Sequence, residues 1–219
     1  HDQIANAQLV SNPGCYPTGF LALIAPLVRE NLLPADWPYT VNAISGYSGG
    51  GKALIERFEA HPDIAFRTYG LTLDHKHLPE MMRHAELAIT PLFSPSVVPA
   101  YRGMLVEVPA PFLKMPKLLR TNNQDEATHA YDLWVTLDEF YEHSKVVDVQ
   151  PFADKPAELL LRDGTDAWDG ITLTVCGDEA GTQARLIARL DNLGKGASGA
   201  AIQNLNIMCG LDETTGLRL

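Results

Sequence analysis

The chain is poor in basic residues and has no long apolar run. Its 17 Lys and Arg residues stand against 27 Asp and Glu residues, which gives a formal net charge of −10. A nucleic-acid interface needs a basic surface, and a membrane span needs about 20 consecutive apolar residues. The first residues also lack the charged and apolar regions of a signal peptide. These shortages predict no nucleic-acid partner and no membrane contact.

Cysteine is scarce as well, since only Cys15, Cys176 and Cys209 are present among 219 residues. They are far apart, odd in number and without metal-ligand spacing, so we predict neither a metal site nor a disulfide framework. Free thiols are typical of a reducing compartment, which predicts a cytoplasmic protein. With 46% hydrophobic and 20% charged residues, the composition is that of a globular protein with a sizeable core.

Cys15 stands in a turn that leads into a predicted helix. Residues 11–19 read SNPGCYPTG and are followed by an apolar run at 20–28. Pro13 and Gly14 are turn residues, whereas proline is favoured in a first helical turn. At a helix N-terminus, free N–H groups and the helix dipole lower a thiol pKa. The pattern therefore predicts a thiolate nucleophile, and the alternative is a small buried cysteine in a turn.

A second turn, SGYSGGGK at residues 45–52, lies between a predicted strand and a predicted helix at 53–60. It nearly matches a phosphate-binding loop, but Ala53 stands where Ser or Thr would ligate Mg²⁺. We interpret it as a loop whose glycines let a ligand approach the backbone closely, and a plain flexible turn remains the alternative.

Two histidines and an arginine are further candidates for chemistry. Residues 74–80 read DHKHLPE, with a helix predicted from Pro79. Two histidines without a third ligand indicate a metal only weakly, but a histidine beside a nucleophilic cysteine supplies proton transfer near neutral pH. Arg102 precedes a predicted strand, and is either a solvated loop charge or a grip for a carboxylate or phosphate.

Hydrophobic periodicity predicts the remaining elements. Pro26 predicts a kink or an early end of the first helix. The closing helix is rich in small residues, and its amides Asn204 and Asn206 need partners, either a cofactor amide or groups of the chain itself. The other predictions are an amphipathic helix at 124–143, an extended segment at 146–152, and strands at 39–44, 64–73, 87–92, 104–108, 171–176 and 183–190.

Five segments together resemble the N-acetyl-gamma-glutamyl-phosphate reductase family, in its shorter type. They are residues 11–18, 45–49, 75–80, 102–103 and 195–204, and SNPGCYPT is the most specific of them. The resemblance implies an NADPH-dependent enzyme of arginine biosynthesis. In that reaction the cysteine attacks an acyl phosphate, N-acetylglutamyl phosphate, and releases phosphate. A hydride then converts the resulting thioester into the semialdehyde.

The resemblance also implies roles for single residues. Cys15 would be the nucleophile and His77 the general acid and base, with His75 as the second choice. Substrate contacts would come from Arg102, His75 and Asn12. The candidates for contact with NADP(H) are Ser48, Gly49, Gly199 and Asn204. A homodimer or homotetramer is expected.

The implied fold is α+β, with a mixed, largely antiparallel sheet and helices on one face, as in semialdehyde dehydrogenases. Family members carry a nucleotide-binding half with a Gly-rich fingerprint, and no strand–GxGxxG–helix unit occurs here. We therefore expect residues 1–19 to be the tail of that domain. Residues 20–190 would form the catalytic and oligomerisation domain, and 191–219 a helical segment that packs back on the cofactor domain.

Two other interpretations stay open. An enzyme resembling aspartate-semialdehyde dehydrogenase would share the acyl-phosphate mechanism, although residues 16–18 and the His-x-His-x-Pro-Glu stretch argue against it. A non-catalytic oligomerisation fragment comes from a different class, and it predicts no NADPH binding.

Overall fold

The fold is organised around a seven-stranded sheet. A computed structural model describes residues 1–112, 130–153 and 156–219. Its strands are β1 Thr40–Gly46, β2 Arg67–Thr68, β3 Leu92–Val98, β4 Met104–Ala110, β5 Val147–Val149, β6 Ile171–Gly177 and β7 Ala184–Leu190. They lie in the order β2-β3-β1-β4-β7-β6-β5. The pairs β1–β3 and β5–β6 are parallel and the other four are antiparallel, so the predicted mixed, largely antiparallel sheet is confirmed.

In the described part of the chain, six helices accompany the sheet: α1 Asp2–Ala5, α2 Cys15–Arg29, α3 Lys52–Ala60, α4 Leu78–His84, α5 Ala130–Tyr141 and α6 Gly199–Met208. A 3₁₀ turn at Tyr47–Gly50 precedes α3, and a π-helical turn at Gly194–Ser198 precedes α6. Helix α2 packs on β4, β6 and β7, α5 packs on β5 and β6, and α4 packs against α2. Within the described ranges, no helix is long and apolar enough to cross a membrane.

One face of the sheet supplies the core. Alternate residues of the central strands point towards α2 and are at most 2% exposed, namely Val41, Ala43, Met104, Val106, Val108, Ile171, Leu173, Leu186, Ala188 and Leu190. The helix lies directly on them, because a Cβ added at Gly19 would come within 2.8 Å of the Val106 side chain. Burial of this apolar face fixes the position of α2, and therefore of Cys15 at its N-terminus.

Helix α2 does not end at Pro26, so of the two outcomes expected there, a kink or an early end, the early end is wrong. A proline lacks the N–H that would bond to the carbonyl four residues earlier, here Ala22. The Tyr141 hydroxyl of α5 donates a hydrogen bond of 3.0 Å to that carbonyl oxygen. Because this partner comes from another helix, α2 continues to Arg29.

Two strand predictions are wrong in their bounds. The strand expected at 64–73 is reduced to Arg67–Thr68, since Gly70 and Leu73 adopt φ values of 69° and 61° that a strand does not contain. The strand expected at 87–92 lies later, at Leu92–Val98, with Pro95 inside it. The strands predicted at 104–108, 171–176 and 183–190, the helix expected from Pro79 and the closing helix are confirmed. Of the helix predicted at 124–143, residues 130–141 are helical, and 124–129 lie outside the described residues.

Candidate active site

Cys15 is the first residue of α2, as its turn sequence predicts. Gly14 precedes it in an extended conformation, with φ −66° and ψ 158°. The backbone N–H and the hydroxyl of Thr18 both donate to the Gly14 carbonyl, at 3.0 Å and 2.9 Å. These bonds close the first turn, so the Cys15 side chain stands where the free N–H groups of the helix point.

Two glycines allow the Cys15 turn to be packed closely on both sides. A Cβ added at Gly14 would overlap the His77 ring, and one added at Gly196 would come within 2.7 Å of Cys15 Cβ. The turn at residues 194–198 therefore packs directly against Cys15, and the His77 ring packs directly against Gly14.

The two histidines differ in what holds them. His77 Nδ1 lies 2.7 Å from Glu80 Oε2, three residues further along the start of α4. The other oxygen of this carboxylate, Oε1, accepts the Gly14 N–H at 3.3 Å. His75 has no such carboxylate contact among its described hydrogen bonds, and its Nδ1 accepts the backbone N–H of His77 at 3.3 Å. The ring centroids of His75 and His77 are 5.0 Å apart.

A cavity of about 470 Å³ brings Cys15, His75 and His77 together. The tyrosines Tyr16 and Tyr69 form part of its wall, and the Tyr69 hydroxyl donates to the Tyr16 hydroxyl at 3.1 Å. The glycine loop contributes backbone at Gly46, Gly49 and Gly50. The thiol, both histidines and the glycine loop thus share one volume, although they come from three separate segments of the sequence.

The same cavity is lined by three cations, Arg57, Arg67 and Lys76. Among its lining residues in the described part of the chain, none is an Asp or Glu. The Arg67 guanidinium carbon lies 4.4 Å from the centroid of the Tyr69 ring, which holds that side chain by a cation–π contact. In a protein of net charge −10, this concentration of positive charge suits an anionic ligand.

Burial raises the pKa of the Cys15 thiol above its ordinary value. The backbone N–H groups at the start of α2 and the charge of Lys76 oppose this rise, but they are the smaller influences. The prediction that the helix N-terminus lowers the thiol pKa is therefore wrong in its net sign, because burial removes the water that would solvate a thiolate. A neutral thiol needs a base in order to act as a nucleophile. The pKa of His75 is lowered, chiefly by burial, which favours a neutral ring.

Arg102 lies elsewhere. Its guanidinium forms an ion pair of 3.1 Å with Asp191 Oδ2, and it lines a separate cavity of about 640 Å³ together with Leu160 and Trp168. Asn12 is exposed, and its side-chain oxygen accepts a hydrogen bond of 2.7 Å from Asn204 of α6. The structure thus joins the Cys15 turn to the closing helix through these two amides.

The glycine and serine positions predicted for a cofactor have different surroundings. Gly49 lines the cavity around Cys15. The buried Ser48 hydroxyl accepts a hydrogen bond of 2.9 Å from Asn192, and a Cβ at Gly199 would overlap the Asp169 carboxylate. Asn206 donates to the carbonyls of residues 213 and 215, at 3.1 Å and 2.8 Å, so its partners belong to the chain itself.

Four residues of the site were missed by the sequence predictions, namely Arg57, Arg67, Lys76 and Glu80. Glu80 carries a detectable signal, because a His-x-x-Glu pair at the start of a helix places both side chains on one face. Arg57 and Arg67 carry none in the local sequence, since only the pairing of β2 with β3 brings Arg67 to the cavity.

Comparison with known proteins finds a family model and relatives that match most of this chain. The family described as the semialdehyde dehydrogenase dimerisation domain matches residues 15–192. N-acetyl-gamma-glutamyl-phosphate reductase 2 of Nostoc sp. is 46% identical over an alignment that covers 99% of this chain and 68% of that protein. The N-acetyl-gamma-glutamyl-phosphate reductase of Brucella suis is 45% identical, over 95% of this chain and 66% of its own length. The chain therefore spans about two thirds of these relatives.

Among solved structures, aspartate semialdehyde dehydrogenase II from Vibrio cholerae matches with a TM-score of 0.62. The alignment covers 95% of this chain and 65% of that one, at 18% sequence identity. At this identity the match describes a shared fold, and the choice of substrate has to be argued from the cavity.

Proposed function

Because the chain belongs to the N-acetyl-gamma-glutamyl-phosphate reductase family, we propose that it carries the catalytic thiol of an enzyme that reduces N-acetylglutamyl phosphate. The products would be N-acetylglutamate semialdehyde and phosphate, in arginine biosynthesis. One observation carries the proposal, namely the cavity in which Cys15, His77 and three cations line a common volume.

The charge of the cavity fits the two acidic groups of this substrate. Lys76 lowers the pKa of Cys15 by its charge, so we place the phosphate, which adjoins the reacting carbon, on the Lys76 side. Arg57 and Arg67 would then bind the distant carboxylate, which arginine grips in a bidentate manner. Arg67 is preferred to Arg102 as this contact, because Arg102 lines another cavity and is paired with Asp191.

His77 is the proposed general acid and base, in preference to His75. It would take the proton from the Cys15 thiol as sulfur attacks the acyl carbon, and pass it to the phosphate oxygen as the carbon–oxygen bond breaks. The cofactor, when bound, supplies the hydride that reduces the thioester carbon. His77 takes up a proton from solvent in place of the one given to phosphate, and then protonates the former carbonyl oxygen. It removes that proton again when the carbon–sulfur bond breaks and returns it to the Cys15 sulfur, which releases the semialdehyde and restores the thiol.

The family uses a nicotinamide cofactor, and we propose that it is NADPH. Gly49 and Asn204 suit a contact with it, since Gly49 lines the cavity and Asn204 joins α6 to the Cys15 turn. Ser48 and Gly199 are better placed to support those neighbours, because both are buried against other side chains. Asn12 and His75 remain predicted substrate contacts.

The match to a dimerisation domain supports an assembly of identical subunits, which we propose to be a homodimer or a homotetramer. Residues 20–190 would provide both the site and the subunit contacts. Residues 1–19 and 191–219 would face a cofactor domain, and the contact between α1 and α6 agrees with this division. Three free thiols are consistent with a cytoplasmic protein.

The test is an assay of the complete enzyme in the reverse direction. Reduction of NADP⁺ would be followed with N-acetylglutamate semialdehyde or aspartate semialdehyde, each with and without phosphate. Activity that requires phosphate and the acetylated substrate is expected. A preference for aspartate semialdehyde would keep the thioester chemistry and overturn the substrate, whereas inactivity with both would favour a non-catalytic oligomerisation role.

A further inference from the structure

One carboxylate, that of Glu80, contacts both halves of the candidate active site. Its Oε1 accepts the backbone N–H of Gly14, the residue before Cys15, and its Oε2 lies 2.7 Å from His77 Nδ1. We propose that Glu80 is a positioning residue that keeps the proton of neutral His77 on Nδ1 and ties the His77 ring to the Cys15 turn. The inference rests on the proposed function in so far as His77 is the acid and base there.

The chemistry of the carboxylate determines the tautomer. An ionised carboxylate can only accept hydrogen bonds, so the short contact requires that His77 Nδ1 carries a hydrogen. In the neutral ring the lone pair then lies on Nε2. Nε2 is thus the nitrogen that can take the Cys15 proton, and a ring with the opposite tautomer would offer a donor where a base is needed.

The position of the carboxylate is itself constrained. His77 directly precedes α4 with helical backbone angles, and Glu80 lies three residues later, so the two side chains point to the same side of this helix start. The His77 side chain is 14% exposed and that of Glu80 is 33% exposed, which shields the bond between them from competing water. On the other side, Gly14 has no Cβ to keep the His77 ring away.

The substitution Glu80→Gln separates positioning from packing. A glutamine has nearly the same shape, but its amide offers one accepting oxygen and one donating nitrogen. At the positions that Glu80 Oε1 and Oε2 occupy, only one of the two atoms can then accept a hydrogen bond. If the oxygen stays on the Gly14 N–H, the nitrogen donates to His77 Nδ1, and the imidazole proton must move to Nε2. In a serine protease the same exchange of a carboxylate for an amide behind the catalytic histidine lowers kcat about 10⁴-fold.

The decisive measurement is the tautomer of His77 in the complete enzyme. Histidine labelled with ¹⁵N would be recorded by NMR near pH 9, well above the ordinary imidazole range of about 6.5, and the His77 signals identified by their loss in His77→Gln. The unaltered enzyme is expected to carry the proton on Nδ1, and Glu80→Gln on Nε2. We expect kcat to fall about 10²- to 10⁴-fold in Glu80→Gln.

A matched control is Glu56→Gln, which removes an equal charge from an exposed ion pair with Lys52. It should change neither the His77 signals nor kcat. A proton on Nε2 in the unaltered enzyme would overturn the proposal without any variant. So would a folded Glu80→Gln enzyme that keeps kcat within about threefold. An enzyme that is inactive on N-acetylglutamate semialdehyde but shows the expected tautomers would refute the proposed substrate and support the positioning role.

Discussion

Two cation-bearing cavities of the described chain use arginine in opposite ways. Around Cys15, Arg57 and Arg67 face the open volume, and the lining residues described there include no carboxylate. In the second cavity, Arg102 is held 3.1 Å from the buried Asp191. The difference shows that the availability of an arginine for a ligand depends on its partner in the fold, and not on whether it precedes a strand or follows a turn.

The carboxylate beside Arg102 is part of the scaffold. Asp191 Oδ2 also accepts the Trp168 N–H, and its Oδ1 accepts the Leu193 N–H. The next residue, Asn192, accepts the Gly103 N–H at 2.8 Å and donates to Ser48. Through these bonds the end of β7 holds the start of β4 and the glycine loop, so Arg102 stabilises the wall behind the Cys15 cavity.

The largest effect is expected from Cys15→Ser, which removes the nucleophile and leaves the charges of both cavities in place. Serine is a poor nucleophile without strong activation, and phosphate-dependent turnover of the complete enzyme should fall by about 10⁴-fold or more. The thermal midpoint should change little, since the side chains have similar size. Retained turnover in this variant would refute the thioester mechanism, and Cys209→Ser, at an exposed thiol, is the control.

The next largest effect is a loss of stability when Arg102 of the second cavity is replaced. Arg102→Met leaves Asp191, whose side chain is 4% exposed, without its cation. Removing one partner of a buried ion pair costs about 3 kcal/mol of unfolding free energy, which denaturant titration would detect. Arg185→Met, which breaks an exposed pair with Glu107, should cost about 1 kcal/mol or less. If Arg102→Met instead leaves stability unchanged and raises KM strongly, Arg102 is a substrate contact and the contrast between the cavities fails.

A smaller effect is expected from Arg67→Met in the first cavity. This variant should weaken substrate binding and leave stability nearly unchanged, in contrast to Arg102→Met. A charge-assisted contact to a substrate carboxylate is worth about 10- to 100-fold in binding, so KM should rise by that factor while stability stays nearly constant. Arg57→Met should act in the same direction. Arg83→Met, at an exposed position on α4, is the matched control. An unchanged KM in both cavity variants would exclude these arginines as carboxylate ligands.

The contrast between the two cavities also explains which features of the fold and the site could be predicted from the sequence. Cys15 was predicted from the distinctive chemistry of its turn, His77 from the resemblance of its segment to the family, and the strands β4, β6 and β7 from their regular alternation. Arg102 and Asp191 are 89 residues apart, so no local sequence pattern predicts their ion pair. The continuation of α2 through Pro26 depends likewise on Tyr141, from a distant helix. Burial of Cys15 is also a property of the assembled fold, which is why the direction of its pKa shift was predicted wrongly.

The smallest effect concerns Lys76, a cation of the first cavity whose charge lowers the pKa of Cys15. In Lys76→Met the thiol pKa should rise further above its ordinary value, so less thiolate is present at any pH below it. Alkylation of Cys15 by iodoacetamide at neutral pH should slow by about two- to fivefold, and mass spectrometry would separate it from that of Cys176 and Cys209.

Repeating the alkylation of Lys76→Met at high salt shows whether the effect of Lys76 is electrostatic. Lys76 is exposed, and the screening length falls from about 10 Å at 0.1 M salt to about 3 Å at 1 M. The difference in alkylation rate between Lys76→Met and the unaltered enzyme should therefore shrink towards zero in 1 M salt. Lys145→Met, which alters an exposed pair with Asp212, should show no difference at either concentration. Equal or faster alkylation of Lys76→Met at low salt would mean that Lys76 does not act on the thiol, and would remove the reason to place the phosphate of the substrate beside it.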